Sequence, residues 1–402
     1  MSELGSKRIL LGVTGGIAAY KSAELLRELQ RGGADIQVVM TASACQFVTP
    51  VTMQALSGKP VYTDMWDARV ANGMPHIELS RDRNLIVVAP ATADFIAKLV
   101  HGVADDLLST LCLARECALI VAPAMNRQMW ENAATQRNVA QLKRDGIVVL
   151  GPDSGDQACG EVGMGRMLEA AQLASEVSAW FQPKMLSGIR VLVTAGPTFE
   201  PIDPVRGLTN RSSGKMGYAV ANAALEAGAT VTLVSGPTAI APPAAAHLVR
   251  VETALQMQDA VNAQISGTDI FIAVAAVADY RVANTSAQKI KKDGGVPKLE
   301  LVLNPDIVES VAKRAGAPFC VGFAAESEKL EENAEAKRRR KKLPLLAANL
   351  VQSAIESDDN ELVLFDDNGS HRLGRSSKLD QARLLVRHIA RLYKPRKSAV
   401  PA

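Results

Sequence analysis

Short apolar runs alternate with longer segments of helical periodicity along most of the chain. In the first half, the runs that predict strands cover residues 8–13, 36–40, 85–89, 119–122 and 147–150. Leu25, Leu26 and Leu29 mark the apolar face of a helix predicted over residues 18–31. Apolar strands separated by helices are typical of a parallel sheet that is covered on both faces.

A second series of the same kind begins after residues 182–188, whose sequence QPKMLSG is typical of a linker. Its predicted strands cover residues 189–194, 230–235, 248–251, 270–274 and 320–323. Its predicted helices cover residues 216–227, 254–265, 306–314, 328–342 and 379–393. The sequence therefore predicts an α/β fold with two doubly wound, mainly parallel-sheet domains, which we place at residues 1–186 and 187–402.

The composition is typical of a soluble globular protein, since 48% of the 402 residues are hydrophobic and 22% are charged. A net charge of +3 does not by itself indicate a nucleic-acid or anionic-membrane partner. The apolar runs are too short to cross a bilayer, and the first residues lack a signal-peptide core. Five cysteines without a CxxC pair favour reduced thiols over zinc or disulfides. We expect a cytoplasmic protein with no membrane partner.

A glycine-rich turn, Gly12-Val13-Thr14-Gly15-Gly16, separates the first predicted strand from the first predicted helix. Glycine lets the backbone approach a phosphate closely, and a helix N-terminus favours negative charge. The turn does not match the dinucleotide fingerprint G-x-G-x-x-G, so a mononucleotide is favoured over NAD. A plain tight turn remains the alternative.

Several motifs of the first half resemble the flavoprotein family of cysteine decarboxylases. They are GVTGGIAAYKS at 12–22, TASA at 41–44, APATADFIAK at 89–98, DDLLST at 105–110, PAMNRQMW at 123–130 and GPDSGDQACGEVGMGRM at 151–167. The second half resembles the ligase partner of that family. Its motifs are TAGPTFEPIDPVR at 194–206, TNRSSGKMG at 209–217, AAVADYR at 275–281, KIKK at 289–292, NPDIV at 304–308 and GFAAE at 322–326. Their order is similar to that of the bacterial bifunctional phosphopantothenoylcysteine decarboxylase/phosphopantothenate–cysteine ligase family, over nearly the whole chain.

The resemblance implies a flavodoxin-like or Rossmann-like flavoprotein domain followed by a Rossmann-like ligase domain, both acting in coenzyme A synthesis. The ligase joins 4′-phosphopantothenate to cysteine through an acyl-cytidylate formed from CTP, with Mg²⁺ bridging the phosphates. The decarboxylase then converts 4′-phosphopantothenoylcysteine to 4′-phosphopantetheine. FMN is implied because decarboxylation of a cysteine amide lacks an electron sink until the side chain has been oxidised.

In the first half, the resemblance implies that His76 removes a proton, that Asn126 holds the substrate carboxylate and that Cys159 protonates the product. It also implies FMN contacts at Thr14, Gly15, Gly16, Ser43, Thr92 and Ser109. Each residue type has an ordinary structural alternative. A histidine is often a loop residue, Asn, Ser and Thr often cap helices, and a lone cysteine is often a buried apolar residue.

In the second half, the resemblance implies that Asn210 turns the acyl-cytidylate into product and that Lys289 stabilises charge while it forms. The implied CTP-binding residues are Ala273, Val274, Ala275, Asp279, Lys289, Pro305, Asp306, Ile307, Val308, Phe323, Lys337 and Lys341. Lys337 and Lys341 lie four residues apart, so one helix face presents both to a triphosphate. The arginines between them are expected to be solvated. The metal ligands are left unknown.

The sequence Gly214-Lys215 does not form a P-loop, because the glycine spacing differs and Met216 replaces Ser or Thr. The turn Ser212-Ser213-Gly214 before a helix is nevertheless a suitable anion site.

Two other functions compete with the bifunctional enzyme. A two-domain nicotinamide-dependent oxidoreductase fits the paired α/β halves but lacks the glycine fingerprint. A nucleic-acid-binding protein would use the basic run at residues 337–342, which a preceding acidic stretch balances. The resemblance also implies a homo-oligomer with trimeric decarboxylase contacts and dimeric ligase contacts, together a dodecamer, and no nucleic-acid partner.

Overall fold

A computed structural model of the chain describes residues 4–70, 73–157, 160–291, 298–326, 328–350 and 359–394. The chain separates into two compact units, Met1–Phe181 and Gln182–Ala402. The domain boundary expected from the sequence, between residues 186 and 187, falls just after the start of the second unit. No helix in the described ranges is long and apolar enough to span a bilayer.

The first unit alternates strands and helices. Its strands are β1 (Arg8–Val13), β2 (Asp35–Met40), β3 (Leu85–Ala91), β4 (Ala118–Pro123), β5 (Val148–Val149), β6 (Asp153–Asp156) and β7 (Val162–Arg166). Its helices are α1 (Ala19–Arg31), α2 (Pro50–Ser57), α3 (Pro75–Ser80), α4 (Ala93–His101), α5 (Leu107–Ala114), α6 (Arg127–Glu131), α7 (Ala133–Arg144) and α8 (Ala170–Trp180). Strands β6 and β7 form a separate antiparallel hairpin, which we call the clamp hairpin.

The main sheet of the first unit is parallel, with strand order β2-β1-β3-β4-β5. Successive side chains of a strand point to opposite faces, so β1 feeds two cores. Ile9 and Leu11 pack with α1 and α8 on one face. Leu10 packs with α4 and α5 on the other face. This arrangement confirms the doubly wound fold predicted for the first half.

The second unit repeats the alternation on a larger scale. Its strands are β8 (Arg190–Ala195), β9 (Phe199–Pro201), β10 (Gly207–Thr209), β11 (Thr230–Ser235), β12 (His247–Arg250), β13 (Ile270–Ala273), β14 (Tyr280–Val282), β15 (Leu301–Leu303), β16 (Phe319–Glu326), β17 (Leu345–Leu350), β18 (Asp359–Asn360), β19 (Val363–Asp366), β20 (Gly369–Arg372) and β21 (Ser376–Ser377). Its helices are α9 (Lys215–Glu226), α10 (Ala254–Gln264), α11 (Ile307–Ala312), α12 (Leu330–Arg340) and α13 (Lys378–Leu392).

The main sheet of the second unit has strand order β12-β11-β8-β13-β16-β17-β19-β20. It is parallel as far as β17, and β19 and β20 are added antiparallel. Val191 and Val193 face α9 and α13, whereas Leu192 faces α10 and α11, so this sheet is also covered on both faces. The mainly parallel α/β class predicted for both halves is confirmed.

The sequence analysis missed three strands of this sheet, β17, β19 and β20. Strand β17 begins only a few residues after the basic end of α12, so its apolar run was not recognised as a separate strand. Strand β20 has the sequence GSHR, which carries no apolar side chain because it forms the solvent-facing edge of the sheet.

A buried ion pair joins α9 to α13. The Arg383 guanidinium donates to both carboxylate oxygens of Glu226, at 2.6 and 2.9 Å, and both side chains are almost fully buried. Bidentate pairs of this kind are strong, and removing one partner leaves the other charge buried without compensation.

We expect Arg383→Met to destabilise the second unit by about 3–5 kcal/mol, because Glu226 would remain as a buried charge. Hydrogen exchange of α9 amides during urea unfolding measures this change. The matched control is Arg372→Met, which breaks the largely exposed Arg372–Glu331 pair and should cost less than about 1 kcal/mol. Equal effects of the two substitutions would contradict a stabilising role for the buried pair.

Candidate functional site

The first unit has a cavity of about 670 Å³ where β1, β3 and β4 end. Open parallel sheets bind ligands at the carboxyl ends of their strands. The cavity combines backbone of the Gly15–Gly16 turn with the apolar side chains of Ile17, Met125 and Met129. We call it the first cavity.

The Gly15–Gly16 turn needs glycine for steric reasons. A Cβ on Gly15 would lie 2.5 Å from the Cβ of Ser43, so no larger residue fits between β1 and the segment after β2. Gly16 has a φ of +148°, and a Cβ there would meet only Thr92, at 4.0 Å. The turn therefore brings bare backbone to the cavity, which suits close approach of a phosphate.

Thr14 connects two strand ends instead of facing the cavity. Its buried hydroxyl donates to Pro90 O at 2.8 Å and accepts from the Thr92 amide at 3.1 Å. Thr92 in turn caps α4, where its hydroxyl accepts from the Phe95 amide at 3.2 Å. The Thr14 hydroxyl thus fixes the position of Thr92, which lines the cavity.

Asn126 lines the first cavity and also caps α6. Its Oδ1 accepts from the Met129 amide at 3.0 Å, and its Nδ2 donates to Gln128 Oε1 at 3.0 Å. An amide nitrogen carries two hydrogens, so one remains for a ligand. The capping alternative is therefore correct, and it leaves the expected carboxylate contact open.

The clamp hairpin is tied to the Asn126 loop by Gln157. Its Oε1 accepts from the Arg127 amide at 2.9 Å, and its Nε2 donates to Met164 O at 3.1 Å. Gly165 is packed so closely that a Cβ would lie 2.3 Å from Met125 O. Cys159 lies outside the described residues, but its described neighbour Gln157 is thus fixed beside Asn126.

Besides Thr14, three other predicted residues of the first half do not line the first cavity. His76 lies in α3, which packs against α5, and is therefore not a loop residue. Ser43 is exposed at the start of a single 3₁₀ turn. Ser109 is 2% exposed and its hydroxyl belongs to a capping box with Asp106, so it caps α5 in this unit.

The sequence analysis missed Lys21, which lines the first cavity although it is only 4% exposed. Its ammonium donates to Met167 O at 3.0 Å and to Glu169 at 2.9 Å. The Lys21 hydrogen bond holds the pKa of the Glu169 carboxyl below its usual value. The lysine links α1, which follows the glycine turn, to the chain after the clamp hairpin.

The second unit has a larger cavity, of about 1050 Å³, at the carboxyl ends of β8, β13 and β16. We call it the second cavity. It gathers almost all of the residues predicted for the ligase half: Asn210, Ala273, Val274, Ala275, Asp279, Pro305, Asp306, Ile307, Val308, Phe323, Lys337 and Lys341. These residues come from distant segments, which the parallel strands bring to one edge.

The turn before α9 forms one wall of this cavity. Gly214 has a φ of +80° and is the N-cap residue, so Ser212, Ser213 and the first amides of α9 line the cavity. Asn210 anchors the same loop, because its Nδ2 donates to Ala276 O at 3.0 Å and Val277 O at 3.2 Å. Its Oδ1 accepts no hydrogen bond from the described residues and can accept one from a ligand.

Lys337 and Lys341 bring positive charge to the lining of the same cavity. Lys341 is 7% exposed, and its ammonium lies 2.5 Å from Asp306 Oδ2. Burial and the neighbouring Lys341 charge lower the pKa of Lys337 below its usual value. Burial works to raise the pKa of Asp306, but the Lys341 and Glu309 hydrogen bonds outweigh it and keep the carboxyl ionised. Lys341 therefore pairs with Asp306, whereas the charges of Glu326 and Asp306 offset the desolvation of Lys337 only in part.

Two residues of the second unit, Lys289 and Arg338, are not placed as the sequence analysis expected. Lys289 is exposed and is not among the residues that line the second cavity. The Ile290 amide next to it donates to Asp203 at 3.2 Å. The expectation that the arginines of α12 are solvated is wrong for Arg338, which is 7% exposed and bonded to Glu335 and Asp367, each at 2.8 Å.

The sequence analysis also missed Asn349, Asn360 and Lys378, which line the second cavity. Asn360 is 3% exposed, accepts from Asn349 at 3.3 Å and meets the Met216 sulfur at 3.9 Å. These residues belong to β17, β18 and α13, so only the tertiary fold places them near the glycine turn.

Comparisons with known proteins identify both units. Residues 1–182 match the Flavoprotein family, and residues 186–393 match the family described as DNA/pantothenate metabolism flavoprotein C-terminal domain. By fold and site, the chain is therefore a two-domain α/β enzyme whose first domain is of the flavoprotein class.

Curated relatives extend this match over the full length. A Vibrio vulnificus (strain YJ016) protein named coenzyme A biosynthesis bifunctional protein CoaBC is 50% identical, covering 98% of this chain and 99% of that protein. The Escherichia coli (strain K12) protein of the same name is 47% identical, covering 97% and 98%. The chain belongs to the family of coenzyme A biosynthesis bifunctional proteins, with a decarboxylase and a ligase domain. The matched families do not favour the nicotinamide oxidoreductase.

Solved structures each match one unit. The C-terminal domain of a coenzyme A biosynthesis bifunctional protein CoaBC is 38% identical, with a TM-score of 0.46, covering 52% of this chain and 97% of that one. The FMN-dependent cysteine decarboxylase SpaF is 34% identical, with a TM-score of 0.39, covering 44% and 95%.

We expect Lys341→Met to raise the pKa of Lys337, because the substitution removes a neighbouring positive charge and frees Asp306 to face Lys337. NMR titration of ¹³C-dimethylated lysines measures this value. Lys313→Met, which removes an exposed lysine paired with Glu309, is the control and should leave it unchanged. A Lys337 pKa that stays the same or falls in Lys341→Met would refute the charge coupling.

Proposed function

We propose that the chain ligates 4′-phosphopantothenate to cysteine through an acyl-cytidylate formed from CTP, and then decarboxylates the 4′-phosphopantothenoylcysteine with FMN. The observation that carries the proposal is the second cavity, which is lined both by two partly desolvated lysines and by a glycine turn at a helix N-terminus. Both features attract a polyphosphate, since each offers positive charge or amide donors to phosphate oxygens.

In the ligase site, Lys337 and Lys341 neutralise phosphate charge, while the N-terminus of α9 attracts phosphate oxygens. The Gly214 and Lys215 amides, which donate to Ser212 Oγ at 3.3 Å and Ser213 Oγ at 3.4 Å in the free protein, turn to the phosphates when CTP binds. Asn210 accepts a hydrogen from the attacking amine of cysteine through Oδ1, because its Nδ2 is held by the β13 loop. A fixed acceptor of this kind orients the amine toward the activated carboxyl group. Lys289 approaches from its exposed loop when the reactants are bound.

Mg²⁺ fits the second cavity through Asp279. The carboxylates among its described lining residues are Asp279 and Asp306, and Lys341 already pairs with Asp306. Asp279 is exposed, and carboxylate oxygens are the ligands that Mg²⁺ prefers when it also binds phosphates. We assign Asp279 as the protein ligand that orients Mg²⁺ and CTP.

FMN fits the first cavity, since the Gly15–Gly16 turn offers bare backbone for a phosphate and Ile17 and Met129 offer apolar surface for a ring. When bound, FMN supplies a reversible acceptor for hydride. Thr92 positions the phosphate, and the free Asn126 amide hydrogen holds the substrate carboxylate. Cys159 delivers the proton that completes the decarboxylated product.

His76 requires a neighbouring subunit, because its own unit does not place it at the first cavity. We therefore propose the trimer of decarboxylase domains that the resemblance implies, with dimeric contacts between ligase domains and a dodecamer overall. Exposed large apolar side chains support such contacts: Ile17, Tyr20, Phe47, Val51 and Trp66 in the first unit, and Leu299, Leu301 and Leu303 in the second. Sedimentation of the pure protein measures the assembly, which we place in the cytoplasm.

The proposed function is tested by supplying the pure protein with 4′-phosphopantothenate, cysteine and CTP while following pyrophosphate and carbon dioxide. We expect Lys289→Gln to suppress pyrophosphate release from CTP but to spare carbon dioxide release from added 4′-phosphopantothenoylcysteine. Lys291→Gln, which removes an exposed lysine of the same loop, should change neither rate. Loss of both activities in Lys289→Gln would contradict two separable sites.

We expect Cys159→Ser to leave reduction of the flavin by 4′-phosphopantothenoylcysteine largely intact but to slow release of decarboxylated product. The reason is that a hydroxyl is a far weaker acid than a thiol. Stopped-flow absorbance and product chromatography separate the two steps. Cys117→Ser, a half-buried thiol elsewhere in the unit, is the control. Full turnover by Cys159→Ser would exclude the proton-donor role.

A further inference from the structure

A cluster of two histidines and one aspartate lies in the second unit, outside the second cavity. Asp366 ends β19, His371 lies on β20 and His388 lies on α13. Each offers one ligand atom, and these atoms all lie within 4.8 Å of one another. Asp366 Oδ2 is 2.7 Å from His388 Nε2 and 3.2 Å from His371 Nε2. The two imidazole rings are 4.7 Å apart.

The cluster and the second cavity lie at opposite ends of the strands of the sheet. The cavity is built at the carboxyl ends of the parallel strands. Strand β19 runs antiparallel to β17, with Phe365 opposite Leu346 and Val363 opposite Ala348. The end of β19 that carries Asp366 is therefore at the amino end of the parallel strands. Along α13, His388 is ten residues from the cavity residue Lys378, which corresponds to roughly 15 Å. A metal bound here is distinct from one that accompanies CTP.

Hydrogen bonding alone does not satisfy this cluster. Asp366 Oδ1 accepts from the Asn368 amide at 2.7 Å and closes the β19–β20 turn, so Oδ2 is left for both imidazoles. His388 Nε2 and Oδ2 are within hydrogen-bonding distance and geometry. His371 Nε2 is a buried atom without a hydrogen-bond partner in the described part of the chain. A buried polar atom of this kind needs an explanation, and a bound ion is one.

The ligand types select the metal. Two imidazole nitrogens and one carboxylate oxygen suit zinc and its neighbours in the transition series, whereas Mg²⁺ and Ca²⁺ prefer oxygen ligands. A tetrahedral zinc site holds its ligand atoms about 3.3 Å apart, a spacing that small side-chain rotations can reach here. Asp366 is 4% exposed, while the His371 side chain is 39% exposed, so an ion and a water ligand can enter from the His371 side.

We propose that Asp366, His371 and His388 form a binding site for one divalent transition-metal ion of the zinc class, with water as the fourth ligand. The ion would cross-link the edge hairpin β19–β20 to α13. Among the described strands, β20 is the outermost of the sheet and pairs with β19 alone. A cross-link to α13 would therefore stabilise this hairpin more than it would the inner strands. The proposal does not depend on the proposed enzymatic function.

The experiment uses the full chain, freed of metal by a chelator and desalted, and titrated with Zn²⁺ in the absence of CTP and Mg²⁺. Calorimetry gives the stoichiometry and affinity, and Co²⁺ absorption in the visible range reports a low-symmetry nitrogen–oxygen site. We expect one tight Zn²⁺ per chain, and a thermal unfolding transition of the second unit that rises on Zn²⁺ addition. His371→Ala and His388→Ala should each weaken Zn²⁺ binding at least about tenfold and reduce the thermal shift at the same Zn²⁺ concentration.

His247→Ala is the matched control, because it removes a histidine of the same unit that lies outside the cluster. It keeps every cysteine, as do the two cluster variants, so thiol binding cannot account for a difference between them. His371→Ala is the decisive variant, since its side chain is the most exposed of the three and its loss leaves the Asp366–His388 hydrogen bond in place. The proposal is overturned if the chain binds no Zn²⁺, if His371→Ala binds it as tightly as the unsubstituted chain, or if His247→Ala weakens binding equally.

Discussion

The second cavity is shaped by one electrostatic constraint: the ammonium groups of Lys337 and Lys341 are partly desolvated near each other, and the carboxylates of Glu326 and Asp306 offset this only in part. Burying like charges together is unfavourable, and the lowered pKa of Lys337 is its direct consequence. The fold maintains the arrangement because α12 and the α11 N-cap are fixed by the sheet behind them. An anion bound in the second cavity would relieve this repulsion, which is why we propose that the cavity selects a highly charged ligand.

In the first unit, the proposed phosphate site is formed by backbone groups instead of charged side chains. Its glycine turn lies against Ser43, and the Thr14 hydroxyl joins the ends of β1 and β3 so that Thr92 and α4 face the cavity. Gln157 connects the clamp hairpin to the loop after β4, and Lys21 binds the segment that follows the hairpin at Met167. The proposed site is not completed within one unit, since His76 lies on α3 and does not line the first cavity. This division explains why an oligomer is part of the proposed function.

The sequence predicted the features that depend on local pattern. The apolar runs predicted the parallel strands, and the four-residue spacing of Lys337 and Lys341 predicted their shared cavity. Features that depend on distant partners were missed or wrong. Arg338 is buried because Asp367, in the turn of an unpredicted hairpin, bonds to it. Asn360 reaches the second cavity because β18 pairs with β21 beside α13. The hydroxyls of Thr14 and Ser109 satisfy the protein's own backbone, which sequence motifs do not reveal.

The central claim is that the second cavity binds CTP by relieving repulsion between its lysines, and proton linkage tests it most directly. Calorimetry of CTP binding over a series of alkaline pH values, in buffers of different ionisation enthalpy, counts the protons exchanged. Bound phosphates raise the pKa of Lys337 from its lowered value, so the account predicts net proton uptake that Lys337→Met abolishes. CTP binding with no proton uptake, or no binding of CTP, would contradict it.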